Sequence, residues 1–232
     1  MARSKASGSG GLRLNYKRTA LIGFAFFGIL LLWQVYDSWC PTFLTDIFAQ
    51  ALHGMNSAKL KESGNMDAIL EVQWLVGIVM ACDNLAALIL LPIFGSISDK
   101  TKTPIGKRMP YILTGTLVSA VAFPFIPLFY HNNNIVGMII MMAIVLMFMM
   151  MYRNPAVALM PDITPKPLRA KANGIINIMG YLGGAFATVL GIFLKLSDYI
   201  TKERNLWVIE IPFIIASVLM VISAFVLFAA IK

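Results

Sequence analysis

Long apolar runs alternate with short polar connections along most of this chain. Each run is about 20 residues long or longer, which is the length that an α-helix needs to cross the hydrocarbon core of a bilayer. The connections contain the Gly, Pro and Asn residues that commonly end helices. The pattern predicts an all-α membrane protein with six transmembrane helices, at residues 19–48, 73–97, 111–130, 135–153, 172–196 and 206–231.

The first 18 residues differ from the rest in composition. Residues 1–11 are rich in Ser and Gly, which predicts a disordered tail over residues 1–18, followed by a helical bundle over residues 19–232. A secretory signal peptide is the competing interpretation of this end. It is rejected because the apolar run is too long for a signal core and carries Asp37 before the cleavage-like Ala49-x-Ala51.

Composition supports a membrane protein. Hydrophobic residues make up 59% of the chain and charged residues 13%, whereas ordinary soluble domains carry about 25% charge. The formal net charge of +8 could suggest a nucleic-acid partner. We expect none, because the basic residues occupy short turns between apolar runs and form no aromatic platform.

The basic residues alternate between the two sides of the predicted membrane. Since cytoplasmic loops of membrane proteins are enriched in Lys and Arg, the richer side predicts that both termini are cytoplasmic. The expected location is the plasma membrane, which is the inner membrane in a bacterium. The richer side holds Arg13, Lys17, Arg18, Lys100, Lys102, Lys107, Arg108, Lys166, Arg169, Lys171 and Lys232, and the other side holds Lys59, Lys61, Lys195, Lys202 and Arg204.

Two acids lie within predicted transmembrane helices. An acid at the centre of a bilayer costs about 2.5–3.5 kcal/mol on insertion scales, so such residues commonly serve a function. At 1.5 Å per residue, Asp37 and Asp83 each lie about 15 Å from the outer ends of their helices. They could bind solute hydroxyls or carry a proton, or they could be paired structurally with a neighbouring helix. The candidate substrate- and proton-binding residues are Trp33, Gln34, Tyr36, Asp37, Asp83, Asn84 and Arg153.

Arg153 differs from these acids in its predicted depth. It ends the fourth predicted helix, about 27 Å from the outer end, where a long cationic side chain can reach the interface. The alternatives are an interfacial anchor and a substrate or gate residue of an inner cavity. With straight helices, Arg153 would be too far from Asp37 for a direct pair.

A short basic turn separates the second and third apolar runs. Residues 95–108 read G-S-I-S-D-K-T-K-T-P-I-G-K-R. This turn resembles the signature loop of the major facilitator superfamily, and its longer form resembles the branch of sugar:cation symporters. The resemblance implies one half of a major facilitator fold, with six helices arranged as 3+3 inverted repeats.

The resemblance also implies an inner gate made of charged residues. In that family the acid at the position of Asp99 faces a helix of the other half, and the basic pair after it meets an acid that follows the fourth helix. Here that acid is Asp162. Simple anchoring by positive charge is the alternative. The implied cluster comprises Gly95, Asp99, Gly106, Lys107, Arg108, Asp162 and Arg169.

The resulting prediction is the amino-terminal half of a secondary active transporter that moves a sugar or similar small polar solute with a cation. Leu91 precedes Pro92 where the melibiose-type relatives place an acid, which favours H⁺ over Na⁺. The chain should contact the lipid bilayer and a second six-helix half. That half could belong to a longer protein of which this chain is a fragment, to a separate chain, or to a second copy of this chain in a homodimer. A non-transporting accessory protein is the other alternative. We expect no enzyme activity, cofactor or metal, because His53 and His131 lie in loops without ligand spacing.

Overall fold

The computed structural model describes residues 14–194, residue 199 and residues 205–231, and its regular elements there are all helical. Six helical stretches are long and apolar enough to cross a membrane, the third being α4 and α5 together. The prediction of an all-α protein with six membrane-length helices is confirmed. The helices are α1 (Tyr16–His53), α2 (Ser57–Glu62), α3 (Met66–Lys100), α4 (Met109–Ala122), α5 (Phe125–His131), α6 (Ile135–Ile163), a 3-10 helix (Lys166–Leu168), α7 (Arg169–Phe193) and α8 (Leu206–Ile231).

The membrane-length helices α1, α3 and α6 begin at asparagine caps in the polar connections. The side chains of Asn15, Asn65 and Asn134 accept hydrogen bonds from the first turns of α1, α3 and α6, which satisfies amides that have no partner within the helix. These caps start α1 and α3 several residues before the predicted positions. Residues 1–13 of the predicted tail over residues 1–18, and the predicted helix end at residues 195–196, lie outside the described residues. The last three residues of that predicted tail belong to α1 instead.

The fourth transmembrane helix extends beyond its predicted end at residue 153. α6 continues through Pro155 and Pro161 to Ile163. Proline is tolerated inside transmembrane helices because neighbouring helices and side chains satisfy the backbone groups that it frees. The prediction was wrong at this end because it treated the first proline as a stop.

α1 lies at the centre of the bundle. It packs most extensively against α7 and α8, whereas α4 and α3 pack against α6. An aromatic cluster joins α1, α5 and α8, with Phe43 stacked on Tyr130 at 4.3 Å and on Phe213 at 5.7 Å between ring centroids. α3 and α7 have the least buried apolar segments of the six stretches. The bundle therefore leaves two long helices with large uncovered faces.

Glycines permit the close contact between α1 and α7. A Cβ atom added at Gly183 would overlap the backbone carbonyl of Phe27, and one at Gly180 would lie 2.6 Å from Leu30 Cδ1. At the next residue, Gly184, the nearest neighbour of an added Cβ would be Gln34 Oε1 at 3.9 Å. The tight contact is thus made one residue earlier, at Gly183.

Replacing Gly183 with alanine should destabilise the bundle, because the new methyl group meets backbone that cannot rotate away. Overpacking costs about 1–3 kcal/mol and alanine regains about 1 kcal/mol of helix propensity, so we expect a net loss of up to about 2 kcal/mol. The measurement is the apparent Tm of the purified protein in detergent. Gly191→Ala is the matched control, since nothing lies within 4 Å of its added Cβ. Equal Tm values for the two variants would contradict the proposed contact.

Candidate functional site

A hydrogen bond ties α1 to α3 within the membrane-spanning segments. Tyr36 is 1% exposed, and its hydroxyl donates to Asp83 Oδ2 at 2.6 Å. Asp83 itself is half-buried. The pair satisfies one carboxylate oxygen and leaves the other without a hydrogen-bond partner of its own in the described part of the chain. This is the contact expected of either a structural acid or a binding site.

Arg153 lies beside Trp33 of α1 and within α6 rather than at the end of that helix. Its guanidinium carbon is 4.3 Å from the ring centroid of Trp33, a cation–π arrangement. Its charge interacts electrostatically with Asp37, which follows Trp33 by about one turn of α1. The predicted position at the end of α6 was wrong, because residues 154–163 extend that helix by about 15 Å beyond Arg153.

The structure thus brings the predicted site residues together in two small groups. Trp33, Asp37 and Arg153 form the first, and Tyr36 with Asp83 forms the second. Gln34 instead donates to Ser38 at 3.1 Å, and Asn84 donates to the Met80 carbonyl at 2.9 Å. These two amides interact with their own helices, so their assignment to a site stays a prediction.

The basic turn folds into a compact ion-pair cluster at one end of the bundle, called here the basic end. Arg108 is 7% exposed and contacts both acids, with Nη2 2.8 Å from Asp99 Oδ1 and Nε 2.7 Å from Asp162 Oδ2. Lys107 Nζ lies 3.3 Å from Asp162 Oδ2 and 3.9 Å from Asp99 Oδ1. Gly106 supplies the positive φ of +100° that the turn requires. Arg108 therefore connects the last turn of α3, the start of α4 and the last turn of α6.

Arg169 is not part of this cluster. Its Nε donates to the Thr164 carbonyl at 3.1 Å, and no ion pair is formed by it in the described part of the chain. The expected grouping of Arg169 with the acids is therefore not seen. The residue instead closes the connection between α6 and α7.

Asn154 is a site neighbour that the sequence reasoning missed. Its Nδ2 donates to the Leu91 carbonyl at 2.6 Å, and a Cβ added at Gly95 would lie 2.5 Å from the same atom. Gly95 thus admits the Asn154 side chain against α3. The available signal was a polar side chain directly before Pro155 in an otherwise apolar helix.

Asp46 is the most buried acid among the described residues, and it too was missed. It is 2% exposed and accepts hydrogen bonds from Ser57 N at 2.7 Å, Ser57 Oγ at 2.8 Å, Tyr130 Oη at 2.8 Å and Gln50 Nε2 at 2.8 Å. These contacts fix the ends of α1, α2 and α5 opposite the basic end. The full set of donors identifies Asp46 as a structural acid.

Replacing Asp46 with alanine should lower the stability of the protein by about 2–4 kcal/mol. Hydrogen bonds to a charged acceptor are worth about 1.5–3 kcal/mol each, and the buried donors would be left without a partner. The change would be followed as the apparent Tm in detergent. The exposed Glu62, on the neighbouring α2, provides the control Glu62→Ala. A Tm for Asp46→Ala equal to that of the control would contradict a structural role.

A family model described as Major Facilitator Superfamily matches residues 62–232. The chain belongs to the major facilitator superfamily. No curated protein and no solved structure matches it. The matched segment begins at the end of α2 and includes the basic turn, Asp83, Arg153 and all later helices, whereas Trp33, Tyr36 and Asp37 precede it.

Membership and the six apolar helices together establish a major facilitator-type transporter that is integral to a membrane. Charged and polar groups inside a bilayer are costly and commonly serve a function, so those within the spanning helices of this transporter are candidates for contact with the solute. Among the described residues, no group of three or more His, Cys, Asp or Glu side chains could hold a metal ion.

Proposed function

We propose that this chain forms the amino-terminal half of a secondary active transporter, which moves a sugar or similar small polar solute together with H⁺ or another cation. The observation that carries the proposal is that two acids lie within the spanning segments, Asp37 near Arg153 and Asp83 bonded to Tyr36. Three ionisable groups at this depth are expensive unless they contact solute, water or a coupling ion. Asp37 and Asp83 are the candidate cation carriers.

A second six-helix half supplies the opposite wall in this proposal. Asp37 is exposed in the described bundle although it lies within α1, and lipid cannot hydrate a carboxylate. The apolar faces of α3 and α7 are also uncovered, with Leu88 73% and Tyr181 74% exposed. A partner half, in the same chain or a separate one, would enclose Asp37 in a polar cavity. A second copy of this chain is the remaining arrangement, and the oligomer size in detergent distinguishes them.

The ion-pair cluster acts as the inner gate in this proposal. Lys and Arg are concentrated at the basic end, which the positive-inside rule assigns to the cytoplasm. Arg108 holds the ends of α3, α4 and α6 as one unit, so those helices move together when the two halves rock about a central solute. Simple anchoring accounts for the lysines but leaves the two acids at Asp99 and Asp162 without a purpose.

Transport by the reconstituted protein tests the proposal. We expect proteoliposomes with an alkaline interior to accumulate a sugar or sugar derivative from a defined mixture, and to lose accumulation when the gradient is collapsed. Asp37→Asn should lower accumulation about tenfold, which corresponds to about 1.4 kcal/mol. Mass spectrometry of the vesicle contents provides the measurement.

Asp67→Asn is the matched control for that substitution. Asp67 is an exposed acid in the first turn of α3, outside the proposed cavity. Unchanged accumulation in Asp37→Asn would remove Asp37 from the site. Vesicles that accumulate nothing with any gradient would favour the alternative of a non-transporting accessory protein.

A further inference from the structure

The Trp33 ring has one face occupied by a cation. The guanidinium carbon of Arg153 lies 4.3 Å from the ring centroid, which is stacking distance. A pyranose ring therefore cannot stack on this face of Trp33 while Arg153 stays there. The arrangement instead presents the guanidinium to whatever enters beside α1.

Arg153 has donor capacity that the described residues do not use. A guanidinium carries five N–H donors in its own plane, and stacking on an indole face leaves the edge of that plane free. Among the described residues, no side-chain hydrogen bond and no direct ion pair is made by Arg153, although Asp37 attracts it electrostatically. A half-buried guanidinium with open donors inside α6 is suited to bind an anion.

The chemistry of the guanidinium favours one kind of anion. Its fork of parallel N–H groups matches the two oxygens of a carboxylate, and such charge-assisted pairs are about twice as strong as neutral hydrogen bonds. A neutral hydroxyl needs no such fork, and single acceptors such as Asp37 suffice for it. The stacked, unpaired Arg153 is therefore better matched to an acidic solute than to a neutral sugar.

Building on the proposed transport function, we propose that the solute carries a carboxylate, as uronic and aldonic acids do, and that the guanidinium of Arg153 binds it. Asp37 and the carboxylate of the solute then compete for the guanidinium of Arg153. A proton on Asp37 removes its charge and leaves Arg153 to the solute, so the anion and the proton travel together. The other titratable groups in electrostatic contact with Asp37 or Arg153 are Tyr36, Cys40, Asp83 and Tyr152.

A mixture of matched solutes tests this inference. Proteoliposomes with an alkaline interior are incubated with equal concentrations of D-glucose and D-glucuronate, D-galactose and D-galacturonate, and D-glucitol and D-gluconate. We expect at least one acid to accumulate tenfold or more above its neutral counterpart. Equal accumulation of acid and neutral member, or preference for the neutral member, would overturn the inference.

Substitutions at Arg153 test whether this residue selects the acid. Arg153→Gln removes the charge and should reduce acid uptake about 10- to 100-fold, as the loss of a charge-assisted pair predicts. Arg153→Lys keeps the charge but not the planar fork, so we expect an intermediate loss. The control is Arg18→Gln, which removes an arginine whose Nε donates to the Ala230 carbonyl at the basic end. Acid uptake by Arg153→Gln at the wild-type rate would overturn the assignment.

The outcomes separate this inference from the transport proposal beneath it. Gradient-driven accumulation of neutral sugars alone leaves the transporter proposal intact and overturns the acidic solute. Accumulation of no solute at all counts against both. Size-exclusion profiles and Tm values identify any variant that fails to fold, and Arg153→Lys then provides the test in place of Arg153→Gln.

Discussion

Arg108→Gln should reduce solute accumulation about 100-fold. The substitution removes ion pairs of 2.8 Å to Asp99 and 2.7 Å to Asp162. Asp99 and Asp162 are 55% and 36% exposed, so solvent screening keeps each contact at the lower end of about 1.5–3 kcal/mol. Two such contacts sum to about 3 kcal/mol, or roughly a factor of 100. Uptake into proteoliposomes is the measurement.

A charge swap distinguishes a specific ion pair from general positive charge. The double variant Arg108→Asp with Asp162→Arg should recover part of the uptake that either single change removes. Lys100→Gln is the control, since Lys100 is an exposed cation of the same turn and forms no ion pair in the described part of the chain. If Lys100→Gln and Arg108→Gln were equally impaired, membrane anchoring by net charge would explain the turn and the gate proposal would fail.

The inner cluster shows how much a resemblance can predict. The acids at 99 and 162 and the arginine at 108 were grouped from the family pattern, and the structure places all three in direct contact. Their functional role stays a prediction. Arg169 was grouped with them by the same pattern, but a neighbouring carbonyl accepts its hydrogen bond instead. A family motif indicates which residue types can contact one another, whereas the backbone path of the loop determines which of those contacts form.

The depth of Arg153 could not be predicted, because the end of α6 was misjudged. In water-soluble helices an interior proline usually breaks the helix, and the prediction applied that rule at Pro155. Inside a membrane, an unsatisfied backbone group has no water to bind, so continuing the helix is favoured and the helix runs to Ile163. Arg153 was therefore predicted to lie near the membrane interface, whereas in the structure it lies beside Trp33.

Asp46 could not be found from local sequence either. Its donors include Ser57 and Tyr130, which are 11 and 84 residues away along the chain. An acid near the end of a predicted span is ordinarily expected to face water, and nothing in its neighbours indicates burial. Only the packing of α1 against α2 and α5 makes it a buried acceptor.

Asp83→Asn should abolish gradient-driven accumulation, lowering it about 100-fold, whereas Tyr36→Phe should lower it only about tenfold. In the proposed mechanism the carboxylate carries the cation, and asparagine cannot take up a proton or balance a charge. The Tyr36 hydroxyl, 2.6 Å from Asp83 Oδ2, orients that carboxylate, and a hydrogen bond to a charged group is worth about 1.5–3 kcal/mol. Uptake rates with and without the gradient separate the two effects.

Comparison of the single variants decides whether Asp83 carries the cation or only accepts the hydrogen bond of Tyr36. If Asp83 carries the cation, Tyr36→Phe adds nothing once Asp83→Asn is present, so the double variant equals Asp83→Asn alone. If Asp83 serves only as the acceptor for Tyr36, both single variants and the double variant share one modest loss, and passive exchange falls with driven uptake. Tyr181→Phe, at a 74% exposed position, controls for the loss of a tyrosine hydroxyl. Because only a carrier role predicts unequal single variants, that inequality is the result on which the assignment of Asp83 depends.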